Sequence, residues 1–168
     1  MKKNKALFLD RDGVINKYGS YIYKIQDFFI NEDIFSLCKN FQSAGYKLIV
    51  VTNQAGVARK IFTKKDFTKL NHYMLSEFFK KNIIIDDVFS CFHHPEFSTK
   101  PCDCRKPEPG LINQAILKHN IDPQMSFLIG DSISDIEAGK SANIKNNILI
   151  EKNIIPQYTS LMRKYLSV

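Results

Sequence analysis

An α/β sandwich built around a mostly parallel sheet is the fold that this 168-residue sequence predicts. Two observations carry that expectation. Short apolar runs of strand length alternate with longer stretches of helical periodicity. Polar residues suited to chemistry follow three of those runs directly, at Asp10-Arg11-Asp12, Thr52-Asn53-Gln54 and Gly130-Asp131. In open α/β sheets, ligands bind beyond the carboxyl ends of the strands, so the pattern places a site as well as a fold. The length and a hydrophobic content of 44% fit a single domain over residues 1–168 with a sizeable core.

The elements follow in order. Ala6 to Leu9 is a buried strand ending at Asp10. Residues 13–30 lack periodicity and carry several Tyr and Phe, which predicts a long loop or flap. Asp33 to Ala44 is a helix with Ile34, Leu37, Cys38 and Phe41 on one face, and Gly45 is placed to stop it. Tyr46 to Val51 is a second buried strand. Thr63 to Lys81 is a long helix with Thr63 as N-cap and Phe67, Leu70, Met74, Leu75 and Phe78 as its apolar stripe. Asp87 to Phe92 is a third strand, and the Pro-, Cys- and His-rich residues 93–109 read as irregular. Leu111 to His119 is a helix, Ser126 to Ile129 a strand, Ile133 to Ser141 a helix and Asn147 to Ile150 a fifth strand. A last amphipathic helix is expected over Pro156 to Leu166.

Composition narrows the function classes. The net charge of +7 points to an anionic partner. Many lysines, such as Lys64, Lys65, Lys69, Lys80 and Lys81, punctuate one amphipathic stretch and read equally well as a solvated face. No aromatic–basic pattern accompanies the charge, so nucleic acid is not the expected partner. No apolar run approaches the roughly 18 residues of a membrane span, and the apolar stretch after Met1-Lys2-Lys3 is too short for a signal-peptide core. The expectation is a cytoplasmic monomer acting on a small phosphorylated substrate.

The paired carboxylates Asp10 and Asp12 need a reason, because Asp is a poor strand former. An Asx turn ending the strand would account for them alone. The functional alternative is a nucleophile and an acid/base, with Gly13 letting the backbone turn sharply. Later motifs favour the second. Thr52 ends the run LIVVT, Lys106 sits in CRKPEPG, and Asp131 and Asp135 sit in LIGDSISD. A threonine and further aspartates after strands, with a lysine between them, can supply the alignment and charge stabilisation that phosphoryl transfer needs above all.

A second cluster lies in the irregular segment. Cys91-x-His93 and Cys102-x-Cys104 supply three thiols and one imidazole, a tetrahedral zinc set, with eight residues between the pairs. Four protein ligands close the coordination sphere, so the zinc would be structural, bracing a loop over residues 91–104 that leads into Arg105 and Lys106. His94 is an alternative to His93 as ligand. A zinc-containing nucleic-acid module is the rival reading, but the spacing differs from that of zinc fingers and no recognition helix follows.

The order DxD, Thr, Lys, GDxxxD resembles the haloacid dehalogenase-like phosphatase superfamily. The fuller set FLDRDGVIN, VTNQAGVAR, C-x-HHP, CDCRKPEPG and IGDSxxD closely resembles its heptose bisphosphate phosphatase branch, and the related histidinol-phosphate phosphatases with the same zinc loop, over residues 5–150. The resemblance implies a Rossmann-like three-layer sandwich with minimal or no cap domain. It implies hydrolysis of the 7-phosphate of D-glycero-D-manno-heptose 1,7-bisphosphate through an aspartyl-phosphate. Asp10 would be the nucleophile and Asp12 the acid/base. Thr52 would hold the phosphoryl oxygens, and Lys106 would neutralise them and position Asp10. Mg²⁺ would bind the Asp10 carboxylate, the Asp12 backbone carbonyl and Asp131, with Asp135 orienting that shell. Tyr18, Gly19, Ser20 and Tyr21 would form the substrate-contacting flap, Thr52, Asn53, Gln54 and Ala55 would surround the transferred phosphate, and Arg105 would contact the substrate beyond it. Ser132 departs from the lysine that the heptose enzymes often carry after the last motif's Asp, which removes one cation from the pocket.

Overall fold

A computed structural model of the chain describes residues 3–151. The expected helix at Pro156 to Leu166 lies outside the described residues. Five strands, β1 (Lys5–Leu9), β2 (Tyr46–Asn53), β3 (Asp87–Cys91), β4 (Phe127–Gly130) and β5 (Asn146–Leu149), form one sheet in the order β3-β2-β1-β4-β5. Every pairing is parallel. The α/β sandwich expected from the alternation of apolar runs is the fold observed.

The alternation within each strand builds two cores, because successive side chains point to opposite faces. Leu7, Leu9, Leu48, Val50 and Ile129 pack on one face with α1 (Asp33–Ser43) and α2 (Lys64–Lys80). Ala6, Phe8, Ile49, Val51 and Leu128 pack on the other with α3 (Gly110–His119) and α4 (Ile133–Ser141). Since both faces are covered, the central strands read as continuous apolar runs. Thr63 caps α2 as expected. Its hydroxyl accepts from the Asp66 N–H, and the Asp66 carboxylate accepts from the Thr63 N–H at 2.8 Å.

Two expectations needed adjustment. β2 continues through Thr52 and Asn53 rather than stopping at Val51, because those residues pair with Ser90 and Cys91 of β3. The segment 13–30 is not a free flap along its length. Val14, Ile15 and Asn16 are wholly buried, Asn31 donates to the Val14 carbonyl at 2.8 Å, and Ile25–Asp27 form a 3-10 turn. Among the described residues, nothing larger than that turn is inserted between β1 and α1, or between β2 and α2. No helix among them is long and apolar enough to cross a membrane.

The topology fixes where chemistry can occur. β1 lies between β2 and β4, and the chain reverses its winding there, which opens a crevice at the carboxyl ends of β1 and β4. Asp10 follows β1 and Asp131 follows β4.

Candidate active site

Gly13 shows how closely the two strand ends approach. Its φ is +93°, and a Cβ there would lie 2.1 Å from Asp131 Oδ2. A side chain at this position would therefore displace an acidic group of the site and strain the turn.

Lys106 is the hub. It is 5% exposed, and its ammonium lies 2.7 Å from Asp10 Oδ1 and 2.6 Å from Asp135 Oδ1. It also donates to the Val51 carbonyl at 2.7 Å. Asn53 holds the lysine backbone from both sides, donating to its carbonyl at 3.0 Å and accepting from its N–H at 3.1 Å. Burial disfavours the ammonium, but Asp10 and Asp135 outweigh it and raise the Lys106 pKa. Burial pushes the Asp10 carboxyl up to about 7; Lys106 pulls it down, while Asp135 and Asp12 add to the rise. Carboxylate oxygens of Asp10, Asp131 and Asp135 lie within 4.8 Å of one another. Asp135 is fixed further by Ser132, the N-cap of α4, whose hydroxyl is 2.7 Å from Asp135 Oδ2.

Asp12 contributes no carboxylate to that acidic group, because both its oxygens are engaged elsewhere. Arg11 donates to Oδ1 at 3.0 Å and Oδ2 at 2.8 Å, Asn16 to Oδ1 at 3.0 Å and Gln54 to Oδ2 at 3.0 Å. The expected magnesium contact through Asp12 is thus compatible only with its backbone carbonyl. Gln54 also donates to Thr52 Oγ1 at 2.9 Å, which orients the buried Thr52 hydroxyl.

A cleft of about 300 Å³ opens beside Asp12. Tyr18, Gly19, Ser20, Tyr21, Asn53, Gln54, Ala55 and Arg105 line it with Asp12. These sequence-derived residues are brought together along the cleft, while Asp10, Thr52, Lys106 and Asp131 are not part of its lining, and Thr52 and Lys106 are buried. Sequence reasoning did not place Gly56 and His94 in the cleft, which they also line, and gave Arg11 no role. Arg11 is only 2% exposed. It sits 5.9 and 5.7 Å from the Phe28 and Phe67 ring centroids and donates to the Ile22 carbonyl at 2.9 Å. A charged residue inside FLDRDGVIN was the signal available for it.

The second cluster also assembles. Cys91 Sγ lies 3.8 Å from Cys102 Sγ and 2.9 Å from Cys104 Sγ, and His93 Nδ1 lies 3.6 and 3.2 Å from Cys91 and Cys104. Metal–sulfur bonds of about 2.3 Å in a tetrahedron imply sulfurs about 3.8 Å apart; the Cys91–Cys102 pair meets that spacing, the Cys91–Cys104 pair is closer, and three thiols with one imidazole are the donor types such an ion takes. Burial and the neighbouring Cys91 and Cys102 thiols push the Cys104 thiol up. His93 rather than His94 supplies the imidazole; His94 turns its ring nitrogen to the Glu96 N–H.

Residues 3–148 match the family model described as haloacid dehalogenase-like hydrolase. The chain is 46% identical over 154 residues to the D-glycero-beta-D-manno-heptose-1,7-bisphosphate 7-phosphatase of Helicobacter pylori, covering 91% of this chain and 87% of that protein. It is 45% identical to the D-glycero-alpha-D-manno-heptose-1,7-bisphosphate 7-phosphatase of Campylobacter jejuni, covering 89% and 84%. Among solved structures, a putative phosphatase of the same family from Mesorhizobium loti superposes with a TM-score of 0.83 at 31% identity, covering 89% and 73%. The D,D-heptose 1,7-bisphosphate phosphatase of B. bronchiseptica, complexed with magnesium and phosphate, shares the fold with a TM-score of 0.79 at 23% identity, covering 94% and 86%.

Proposed function

The chain belongs to the haloacid dehalogenase-like hydrolase family, and from that premise we propose that it removes the 7-phosphate of D-glycero-D-manno-heptose 1,7-bisphosphate. The observation that carries the reading is the Asp10–Lys106 pair two residues from Asp12, which lines a cleft together with Arg105. The cleft gives a sugar room beyond the reacting phosphate, and Arg105 offers a bidentate donor for a second one.

Asp10 attacks the 7-phosphorus, forming an aspartyl-phosphate as the bond to the sugar oxygen breaks. Asp12 donates its proton to that leaving oxygen. It then takes a proton from the water that attacks the aspartyl-phosphate, which releases inorganic phosphate and restores Asp10. Arg11, Asn16 and Gln54 hold the Asp12 carboxylate for both transfers. Thr52 and Lys106 hold and neutralise the phosphoryl oxygens.

Asp10, Asp131 and the Asp12 carbonyl would hold Mg²⁺, whose preference for oxygen donors fits this acidic group. When bound, the ion supplies positive charge that favours ionised Asp10 and offsets charge on the phosphoryl oxygens. Asp135, already paired with Lys106, orients that shell. Cys91, His93, Cys102 and Cys104 would hold a structural Zn²⁺ that fixes the chain leading into Arg105 and Lys106. Thiolate ligands persist in a reducing compartment, which supports a cytoplasmic location.

Comparing kcat/KM on heptose 1,7-bisphosphate and on histidinol phosphate tests the reading. A preference for the bisphosphate is expected; a preference for histidinol phosphate would overturn the substrate assignment. The relatives act on both anomers by name, so the two anomers should be assayed separately.

A further inference from the structure

We propose that Arg59 is a positioning residue that ties the flap at Tyr21 to the Cys/His loop at Phe97, so that two segments lining the substrate cleft are set by one side chain. Arg59 donates from Nη1 to Tyr21 Oη. Its guanidinium carbon also lies 5.8 Å from the Tyr21 ring centroid and 5.0 Å from that of Phe97, within cation–π range of both. Neither ring would hold its place alone. Tyr21 has φ of +53°, a left-handed conformation that a bulky residue keeps only when its surroundings enforce it. Phe97 is 53% exposed at the tip of the zinc loop.

Arg59 itself is well anchored. Its N–H donates to the Ala55 carbonyl at 3.1 Å, and the Ile61 N–H to the Gly56 carbonyl at 2.9 Å, which winds the chain after β2 into a tight turn. Gly56 lets the flap lie directly on this turn, since a Cβ there would stand 2.9 Å from Tyr21 Cδ1. Both ends of the tie reach the cleft. Tyr21 lines it directly. Phe97 packs edge-on to His94, with ring centroids 5.0 Å apart, and His94 also lines the cleft. The His94–Ser98 turn is closed by its own hydrogen bonds, His94 N–H to Ser98 Oγ at 2.8 Å and Ser98 N–H to the His94 carbonyl at 2.9 Å. Displacing Phe97 therefore displaces His94.

The inference rests on the proposed substrate reading, because a preformed cleft matters for a sugar and not for the phosphoryl group held by Asp10 and Lys106. Amide exchange followed by mass spectrometry on the full chain reads the tie without substrate. In Arg59→Met, peptides covering residues 17–24 and 94–100 should exchange at least about threefold faster while β1 and β2 stay unchanged. Unchanged exchange in both loops would overturn the proposal. Kinetics read its consequence: KM for heptose 1,7-bisphosphate should rise about five- to tenfold with kcat within about twofold. Arg59→Lys should recover only part of the loss, since an ammonium lacks the planar fork. Phe97→Leu should raise KM similarly, and the double variant no further than the worse single one. Additive effects, or a loss confined to kcat, would also overturn it. Failure of the wild type to hydrolyse the bisphosphate would sink the substrate reading instead, and the same KM comparison would then be made on the phosphomonoester it does hydrolyse.

Discussion

The ammonium of Lys106 lies 2.7 Å from the carboxylate of Asp10, although 96 residues separate them in the chain. Lys106 and Asp135 are buried and Asp10 is largely so, and Lys106 is the cation that balances both aspartates. Removing it leaves two buried carboxyl groups without their partner. Lys106→Met should destabilise the protein by about 3–5 kcal/mol in urea or thermal unfolding, the usual cost of breaking a buried pair from one side. Adding Asp135→Asn should recover part of that stability but none of the lost turnover.

Arg11 should matter for rate more than for affinity. It holds both oxygens of Asp12 and the carbonyl of Ile22 from a buried position between Phe28 and Phe67. Arg11→Met should lower kcat about 100-fold, the scale expected when a reacting group is misplaced by roughly 1 Å. KM should change little. A KM effect at constant kcat would place Arg11 in substrate binding instead.

The Cys/His cluster is expected to bind zinc, and stripping that ion should loosen the loop that presents Arg105 and Lys106. Purified protein should contain about one zinc per chain, and Cys102→Ser should lose most of it. Elemental analysis, with melting temperature measured on the same samples, reads both effects. A zinc-free wild type of unchanged stability would remove the structural role.

A pH-dependent contribution is expected at Asp87, far from the site. Burial raises its pKa, but hydrogen bonds from Lys118 at 2.7 Å and His119 at 2.8 Å outweigh that and hold it below the ordinary 3.8. A depressed folded-state value means stabilisation present above pH 3.8 and lost as pH falls through the lower folded value. Asp87→Asn should therefore cost about 1 kcal/mol at pH 7. Its difference from wild type should shrink below pH 3.8. A gap that stays constant down to low pH would show that charge is not its source.

The parts of the site legible in the sequence are those fixed by strand ends. Asp10, Thr52 and Asp131 follow apolar runs, and a parallel sheet necessarily gathers such positions at one edge. The Cys/His spacing was equally legible, because ligand geometry restricts which pairs can serve. Arg11 was not, since a buried arginine is recognised by Asp12, Phe28, Phe67 and Ile22, which meet it only after folding. His94 and Arg59 escaped for the same reason. Their roles depend on the flap and the Cys/His loop coming together, and neither segment has a period to read. The anchored start of the flap was missed because Val14 and Ile15 are flanked by Gly13 and Asn16, which read as turn residues.

The central claim is that Asp10 receives the phosphoryl group. Acid-quenching the reaction with heptose 1,7-bisphosphate labelled in its 7-phosphate, followed by peptide mapping, tests it most directly. The label should appear on the peptide containing Asp10, and Asp10→Asn should carry no label and turn over no substrate. Label on another residue, or undiminished turnover by Asp10→Asn, would contradict it.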